Sequence, residues 1–308
     1  MRRLPSILAF ACFLLAAFAG AAESPKSKVA PKSQRPLPPG VTVLRDLPYS
    51  ESGHERQKLD LYLPANAKNA PLVVWIHGGG WQNGSKDRSP ALMLLSHGYA
   101  VASINYRLSS HAQFPAQIED CKAAIRWLRA HARQHGYDPD RIAAWGSSAG
   151  GHLVALLGVT GEVKDFDRGE NPGVSSRVQA VVNFYGPSEL LTMDAQSGAN
   201  SKMKHNAPDS PEAKLLGGPI QEHKEKAQRA SPLHYISPDD APMLIVHGDS
   251  DPLVPVKQSE VFFAALKKAG VDASLYIVKT GGHGGFNDPE VDRQVTGFLN
   301  RVLKAPAR

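Results

Sequence analysis

Six short apolar runs recur along the chain, at residues 72–76, 100–105, 142–145, 178–184, 243–246 and 275–278, and none shows the regular polar alternation of a half-exposed strand. Strands apolar on both faces belong inside a parallel sheet that is covered by helices above and below. Helical patterns lie between them. The clearest covers Pro115 to Gly136, where Ile118, Cys121, Ile125, Leu128 and Ala132 share one face and Lys122, Arg126, Arg129 and Arg133 share the other, which reads as a solvated basic face. Strands alternating with helices make this an α/β chain with a mostly parallel central sheet and helices on both faces. In such a sheet ligands bind beyond the carboxyl ends of the strands, so chemistry is sought in the loops that follow the runs.

Two further segments, 41–47 and 58–63, alternate in polarity and read as antiparallel edge strands. Ahead of them, Arg2 and Arg3 precede an apolar run at 7–18 and the small residues Ala19-Gly20-Ala21-Ala22, the pattern of a signal peptide over residues 1–22. The run is shorter than the roughly 20 residues of a spanning helix, so no stable membrane anchor is expected after cleavage, and the expected destination is secreted or periplasmic. Residues 23–40, rich in Pro, Ser and Lys, form a linker, and residues 41–308 form the folded domain. Cys12 would leave with the leader, so Cys121 alone remains and no internal disulfide can form.

The formal charge of +6 suggests a nucleic-acid partner until the charges are located. Arg2, Arg3, Lys26, Lys28, Lys32 and Arg35 precede the domain against the single acidic Glu23, and the domain itself is nearly neutral. Without a basic stripe to neutralise phosphates, no nucleic-acid partner is expected.

Four of the post-strand loops carry chemistry. Gly146-Ser147-Ser148-Ala149-Gly150 follows the run at 142–145 and opens a helix-like stretch, the setting of a nucleophilic serine on a sharp strand-to-helix turn. Ser148 is the candidate nucleophile; a glycine-rich helix start capped by Ser147 or Ser148 is the structural alternative. His77-Gly78-Gly79-Gly80-Trp81 follows the run at 72–76, and its glycines allow backbone amides to face a developing oxyanion. Gly79 and Gly80 are the expected donors, with Ala149 a third; Trp81 and Ser147 are the expected substrate contacts. His77 reads as a support for the loop, with a catalytic role left open. The loop lacks the Lys-Ser/Thr pair or helix-opening G-x-G-x-x-G of a nucleotide site. In His247-Gly-Asp-Ser-Asp-Pro252, Asp251 is favoured over Asp249 as the carboxylate that orients a histidine, Asp249 serving the turn instead. His283, flanked by two glycines on each side after the last run, is the candidate general base.

Ser148, Asp251 and His283 stand in the chain order of an α/β-hydrolase triad. The motifs HGGGW at 77–81, WGSSAGG at 145–151, HGDSDPLVP at 247–255 and GGHGGF at 281–286 resemble the α/β-hydrolase superfamily, in its carboxylesterase branch related to hormone-sensitive lipase. The run of ten residues from Ser231 to Asp240 is further similar to secreted feruloyl- and acetylxylan-esterase-like bacterial members. The resemblance covers nearly all of residues 41–304. It implies an α/β-hydrolase fold and a serine carboxylesterase that works through an acyl-enzyme without cofactor or metal, while the stretch at about 187–240, too long for a simple crossover between two core strands, is expected to build a small cap insertion. Acetyl or feruloyl esters of plant polysaccharide, or small-molecule esters, are the implied substrates. A serine peptidase or amidase on the same fold is the alternative, and a non-catalytic binding protein is a third reading. His131 and His135 stand four apart, but HARQH lacks the glutamate of a zinc helix, and a metal is not expected there. In the insertion, Leu190, Leu191, Met193 and Met203 either line a pocket or pack the cap, and Lys202, Lys204 and His205 read as solvated or as contacts to an acidic substrate.

Overall fold

The computed structural model describes Met1 and residues 36–65, 68–199 and 201–304. The leader and most of the linker expected from the sequence lie outside the described residues. Eight strands, β1 (Thr42–Pro48), β2 (Lys58–Leu63), β3 (Ala70–Ile76), β4 (Ala100–Ile104), β5 (Tyr137–Ser147), β6 (Ala180–Phe184), β7 (Met243–Gly248) and β8 (Ala273–Val278), form one sheet in the order β1-β2-β4-β3-β5-β6-β7-β8. The pairs β1–β2 and β2–β4 are antiparallel and all others parallel. Only β1 is an edge on this side. β2, expected at an edge, is paired on both sides, and its Leu59 and Leu61 are fully buried.

The helices are α1 (Ala116–His135), α2 (Ala149–Val159), α3 (Met193–Gln196), α4 (Pro211–Leu216), α5 (Lys224–Ala230), α6 (Val256–Lys268) and α7 (Pro289–Leu303). Along β3, Leu72, Val74 and Ile76 face the core that includes α1, α2 and α6, whereas Val73 and Trp75 face the core that includes α7. Alternate residues thus fill two apolar layers, which is why the central runs carry so few polar side chains. The segment between β6 and β7 holds the short helices α3, α4 and α5. No described helix is long and apolar enough to cross a membrane.

The basic row of α1 departs from the solvated face its periodicity predicts. Lys122 and Arg126 are buried because the loop after α2 folds over them. Lys122 Nζ donates to the carbonyls of Thr160 and Val163, each at 2.8 Å, and lies 3.2 Å from Asp167, which also pairs with Arg126. Arg129 donates to the Pro139 and Arg177 carbonyls. Burial lowers the Lys122 pKa against the raising effect of Asp167. Arg133, by contrast, is exposed. His131 is spent on a stacking contact with Trp127, ring centroids 4.1 Å apart.

Candidate active site

Because β3, β5, β6, β7 and β8 run parallel and side by side, the loops after them emerge at one edge of the sheet. Ser148 follows β5 directly, with φ 55° and ψ −121°, a conformation that costs a side-chain-bearing residue energy. It is held by hydrogen bonds from its own amide to Phe184 O at 2.8 Å and from the His152 amide to its carbonyl at 2.9 Å. The turn is too tight for side chains at positions 146 and 150. A Cβ on Gly146 would come within 2.3 Å of Gly150 O, and one on Gly150 within 2.1 Å of Ile76 O. The small residues around the serine therefore answer to backbone packing.

His283, in the loop after β8, places Nε2 2.9 Å from Ser148 Oγ and Nδ1 2.7 Å from Asp251 Oδ2. Asp251 Oδ1 accepts from the amides of Leu253 and Val254, at 2.8 and 3.0 Å. Its side chain is wholly buried, whereas that of His283 keeps 18% of its surface open. Burial alone would raise the Asp251 pKa, but hydrogen bonds from His247, His283 and the Val254 amide outweigh it and hold the carboxyl well below the usual carboxylate range. Asp249 sits apart from this group, its Oδ1 accepting from the Thr280 amide at 2.7 Å.

The HGGGW loop lies against the serine turn: a Cβ on Gly78 would meet Ser147 O at 2.7 Å. His77 Nδ1–H donates to Gly78 O at 2.7 Å and its Nε2 accepts from Arg56 at 3.0 Å; since a carbonyl can only accept, the ring is the neutral Nδ1–H tautomer. Burial, aided by Arg56, draws its pKa down to about 4. Trp81 lines the cavity yet is nearly all buried, and its indole N–H is committed to His152 Nδ1 at 3.2 Å. Trp81, expected as a substrate contact, does line the cavity but offers it no free donor. His152 completes the strut by donating Nε2–H to Ala230 O at 2.6 Å, and burial draws its pKa to about 4 as well.

Two groups beside Asp251 and His283, namely His247 and Tyr185, were not assigned from sequence, and a third, His205 of the cavity wall, was assigned a different setting. His247 is fully buried within 3.2 Å of Asp251 Oδ2, with Ser259 Oγ at 2.7 Å from its Nδ1. Its place in HGDSDP was visible, but a histidine inside an apolar strand reads as core. Tyr185, after β6, has φ 41° and packs its ring 4.6 Å from that of His283; its phenol, raised by burial, hydrogen-bonds the Ser147 side chain. His205, expected in solvent or against an acidic substrate, is buried against Glu212.

The loops enclose a cavity of about 480 Å3 bounded by Gly79, Gly80, Ser148 and His283, and by Met203 and Glu212 of the β6–β7 segment. Of the four apolar residues considered there, Leu190 and Met193 are core and Leu191 packs against it, leaving Met203 on the cavity. Lys202 and Lys204 are exposed. Among the described residues no cluster of three His, Cys, Asp or Glu side chains could hold a metal ion.

A family model described as BD-FAE matches residues 59–266. Esterase LipQ of Mycobacterium tuberculosis is 32% identical over 261 residues, covering 79% of this chain and 57% of that protein. The chain thus spans little more than half the length of this curated relative. Among solved structures, a truncated form of a carbohydrate esterase from gut microbiota aligns with a TM-score of 0.79 at 34% identity, over 86% of this chain and 97% of that one. An acetyl ester-xyloside bifunctional hydrolase from Caldicellulosiruptor lactoaceticus aligns with a TM-score of 0.70 at 26% identity, over 87% and 98%.

Proposed function

The chain belongs to the BD-FAE family and carries the α/β-hydrolase fold, and on that premise we propose that it is a carboxylic ester hydrolase that works through an acyl-enzyme on Ser148. The observation that carries the proposal is the unbroken relay from Ser148 Oγ through both ring nitrogens of His283 to Asp251. Neutral His283 accepts the hydroxyl proton on Nε2 as Oγ attacks the ester carbon. Asp251, kept ionised by its donors, fixes the proton on Nδ1 and stabilises the imidazolium that forms.

The negative charge that gathers on the former carbonyl oxygen is assigned to the amides of Gly79, Gly80 and Ala149. Ala149 is the first residue of α2, so its amide has no partner within the helix. Collapse of the tetrahedral intermediate breaks the bond to the alcohol oxygen, which takes the proton from His283. Water then attacks the acyl carbon with His283 again as base, releasing the acid and restoring Ser148. The proton taken from Ser148 leaves on the alcohol and one from water replaces it by way of His283, so the enzyme is restored and the cycle calls on no redox partner.

The carbohydrate-esterase and acetyl ester-xyloside hydrolase likenesses support acetyl esters borne on carbohydrate as the substrate class, and feruloyl esters of plant polysaccharide rest on the sequence resemblance alone. The leader pattern at residues 1–22 supports a secreted or periplasmic location. Replacing Ser148 by Ala tests the central claim. Hydrolysis of 4-nitrophenyl acetate should fall at least ~1,000-fold while the circular dichroism spectrum is kept. A folded variant that retains turnover overturns the assignment.

A further inference from the structure

The part of the cavity wall supplied by the β6–β7 segment holds a polar pair that the acyl-transfer steps do not use. His205 Nδ1 lies 3.1 Å from Glu212 Oε1, and the two side chains keep only 1% and 4% of their surface open. Their other polar atoms, His205 Nε2 and Glu212 Oε2, are buried without any hydrogen-bond partner, although both residues line the cavity. Buried polar atoms are nearly always paired, because desolvating them without return is costly. Two orphans on one hydrogen-bonded pair beside a substrate cavity point to partners that arrive with the substrate.

Loose packing does not account for them. The His205 amide donates to Asp194 Oδ1 at 2.6 Å, its carbonyl accepts from Ser210 Oγ at 2.7 Å, and Ser210 Oγ in turn accepts from the Ala213 amide at 3.0 Å. The pair is thus set on a fully bonded turn. That turn abuts the glycine loop, since a Cβ on Gly80 would lie 3.2 Å from Pro211 Cβ.

The chemistry of the pair narrows the ligand. With Nδ1–H given to Glu212, His205 Nε2 is a bare acceptor when the ring is neutral and a donor when it is charged, while Glu212 Oε2 only accepts. Glu212 repels an anionic group, and an ammonium group cannot pair with a charged imidazole. A hydroxyl both donates and accepts, so two adjacent hydroxyls satisfy the pair in either state. We propose that His205 and Glu212 bind free hydroxyls next to the scissile ester on an acylated sugar, a specificity site that rests on the ester-hydrolase reading above. Neither orphan atom is open to bulk water, so binding requires a local shift of the wall, and bonds made there form in a low-dielectric setting that discriminates strongly.

The test compares kcat/KM for methyl 2-O-acetyl-β-xylopyranoside, its 3,4-di-O-methyl ether and 4-nitrophenyl acetate, in the wild type and in Glu212→Gln. The wild type should prefer the free diol over its ether by at least ~10-fold. In the variant the loss on the diol should exceed the loss on 4-nitrophenyl acetate by about tenfold, as for a hydrogen bond to a charged group. Equal losses on all three substrates, or a wild type indifferent to methylation, overturn the proposal. Should Glu212→Gln fail to fold, His205→Gln takes its place with the same expected ratios. The two readings separate cleanly: 4-nitrophenyl acetate turnover that depends on Ser148 but shows no hydroxyl preference removes the sugar site alone, whereas turnover that survives Ser148→Ala removes both.

Discussion

Replacing Asp251 by Asn changes one atom, and the surrounding hydrogen bonds dictate where that atom goes. Oδ1 of Asp251 accepts from two backbone amides, and only an oxygen can do so. The substituted amide side chain would therefore keep its oxygen on Leu253 and Val254 and turn its NH2 toward His283 Nδ1, now 2.7 Å from Oδ2. A donor at that point requires a lone pair on Nδ1. The ring proton moves to Nε2, which then points at Ser148 Oγ and cannot accept its proton. The same NH2 also meets His247 Nε2–H, whose other acceptor is Val254 O at 3.0 Å, so two donors face each other where one carboxylate oxygen had served both histidines.

A wrong tautomer in an otherwise intact triad costs about 10,000-fold in kcat, or about 5 kcal/mol of transition-state stabilisation. Initial rates on saturating 4-nitrophenyl acetate measure it, with a thermal melt to confirm that the variant folds. Asp249→Asn is the control: its Oδ1 serves the Thr280 amide, an acceptor role that Asn preserves, so kcat should stay within about threefold. A folded Asp251→Asn enzyme within tenfold of wild type would refute both the tautomer argument and the choice of Asp251 over Asp249.

Three other outcomes follow from the same contacts. Gly79→Ala should lower kcat about 100-fold, because φ is 111° there and the new Cβ would sit 2.3 Å from Asn83 O, displacing the loop assigned to the oxyanion. Lys122→Met should cost about 3 kcal/mol in a urea titration, since it strands the Thr160 and Val163 carbonyls and weakens the hold on Asp167; a loss under about 1 kcal/mol would show that the burial is idle. His77 and His152 have folded pKa values of about 4 against an unfolded value near 6.5, so the unfolded chain binds protons first. Their stabilisation is complete above pH ~6.5 and is lost as pH falls toward 4, by up to about 3 kcal/mol each. Urea midpoints at pH 7.5 and 4.5 should differ accordingly, and His152→Gln should flatten its share.

The sheet was legible because its central strands are buried on both faces, which leaves an apolar run that needs no long-range knowledge to notice. The residues at the strand ends were legible for a related reason. Ser148 and His283 each follow such a run in a loop crowded with glycine, where a reactive side chain has little structural excuse, and Asp251 follows one in a short acidic turn with the single Gly248. The helix α1 misled because periodicity reports which residues share a face and not what later covers it. Nothing local to residues 116–135 announces that the loop after α2 will close over Lys122 and Arg126, and only that loop's carbonyls and Asp167 make their burial tolerable.

The same limit explains why the settings of the polar groups around the site escaped notice, His205 among them, which reads from sequence as solvated or as a contact to an acidic substrate. His247 lies in a strand, His152 in an apolar helix and His205 in an insertion without periodicity, and each acquires its role from a partner distant in the fold or hidden by the turn between them. The first two are closed systems: His152 has a partner on each nitrogen, Trp81 and Ala230, and His247 has Ser259, Val254 and Asp251. A closed system supports the site without meeting the substrate. The His205–Glu212 pair is the one left open, with a lone atom on each side chain and the cavity beside it. Other buried polar atoms lack a partner elsewhere in the fold, but among the residues that line this cavity only His205 and Glu212 carry one, which is where an arriving substrate can complete the bonding.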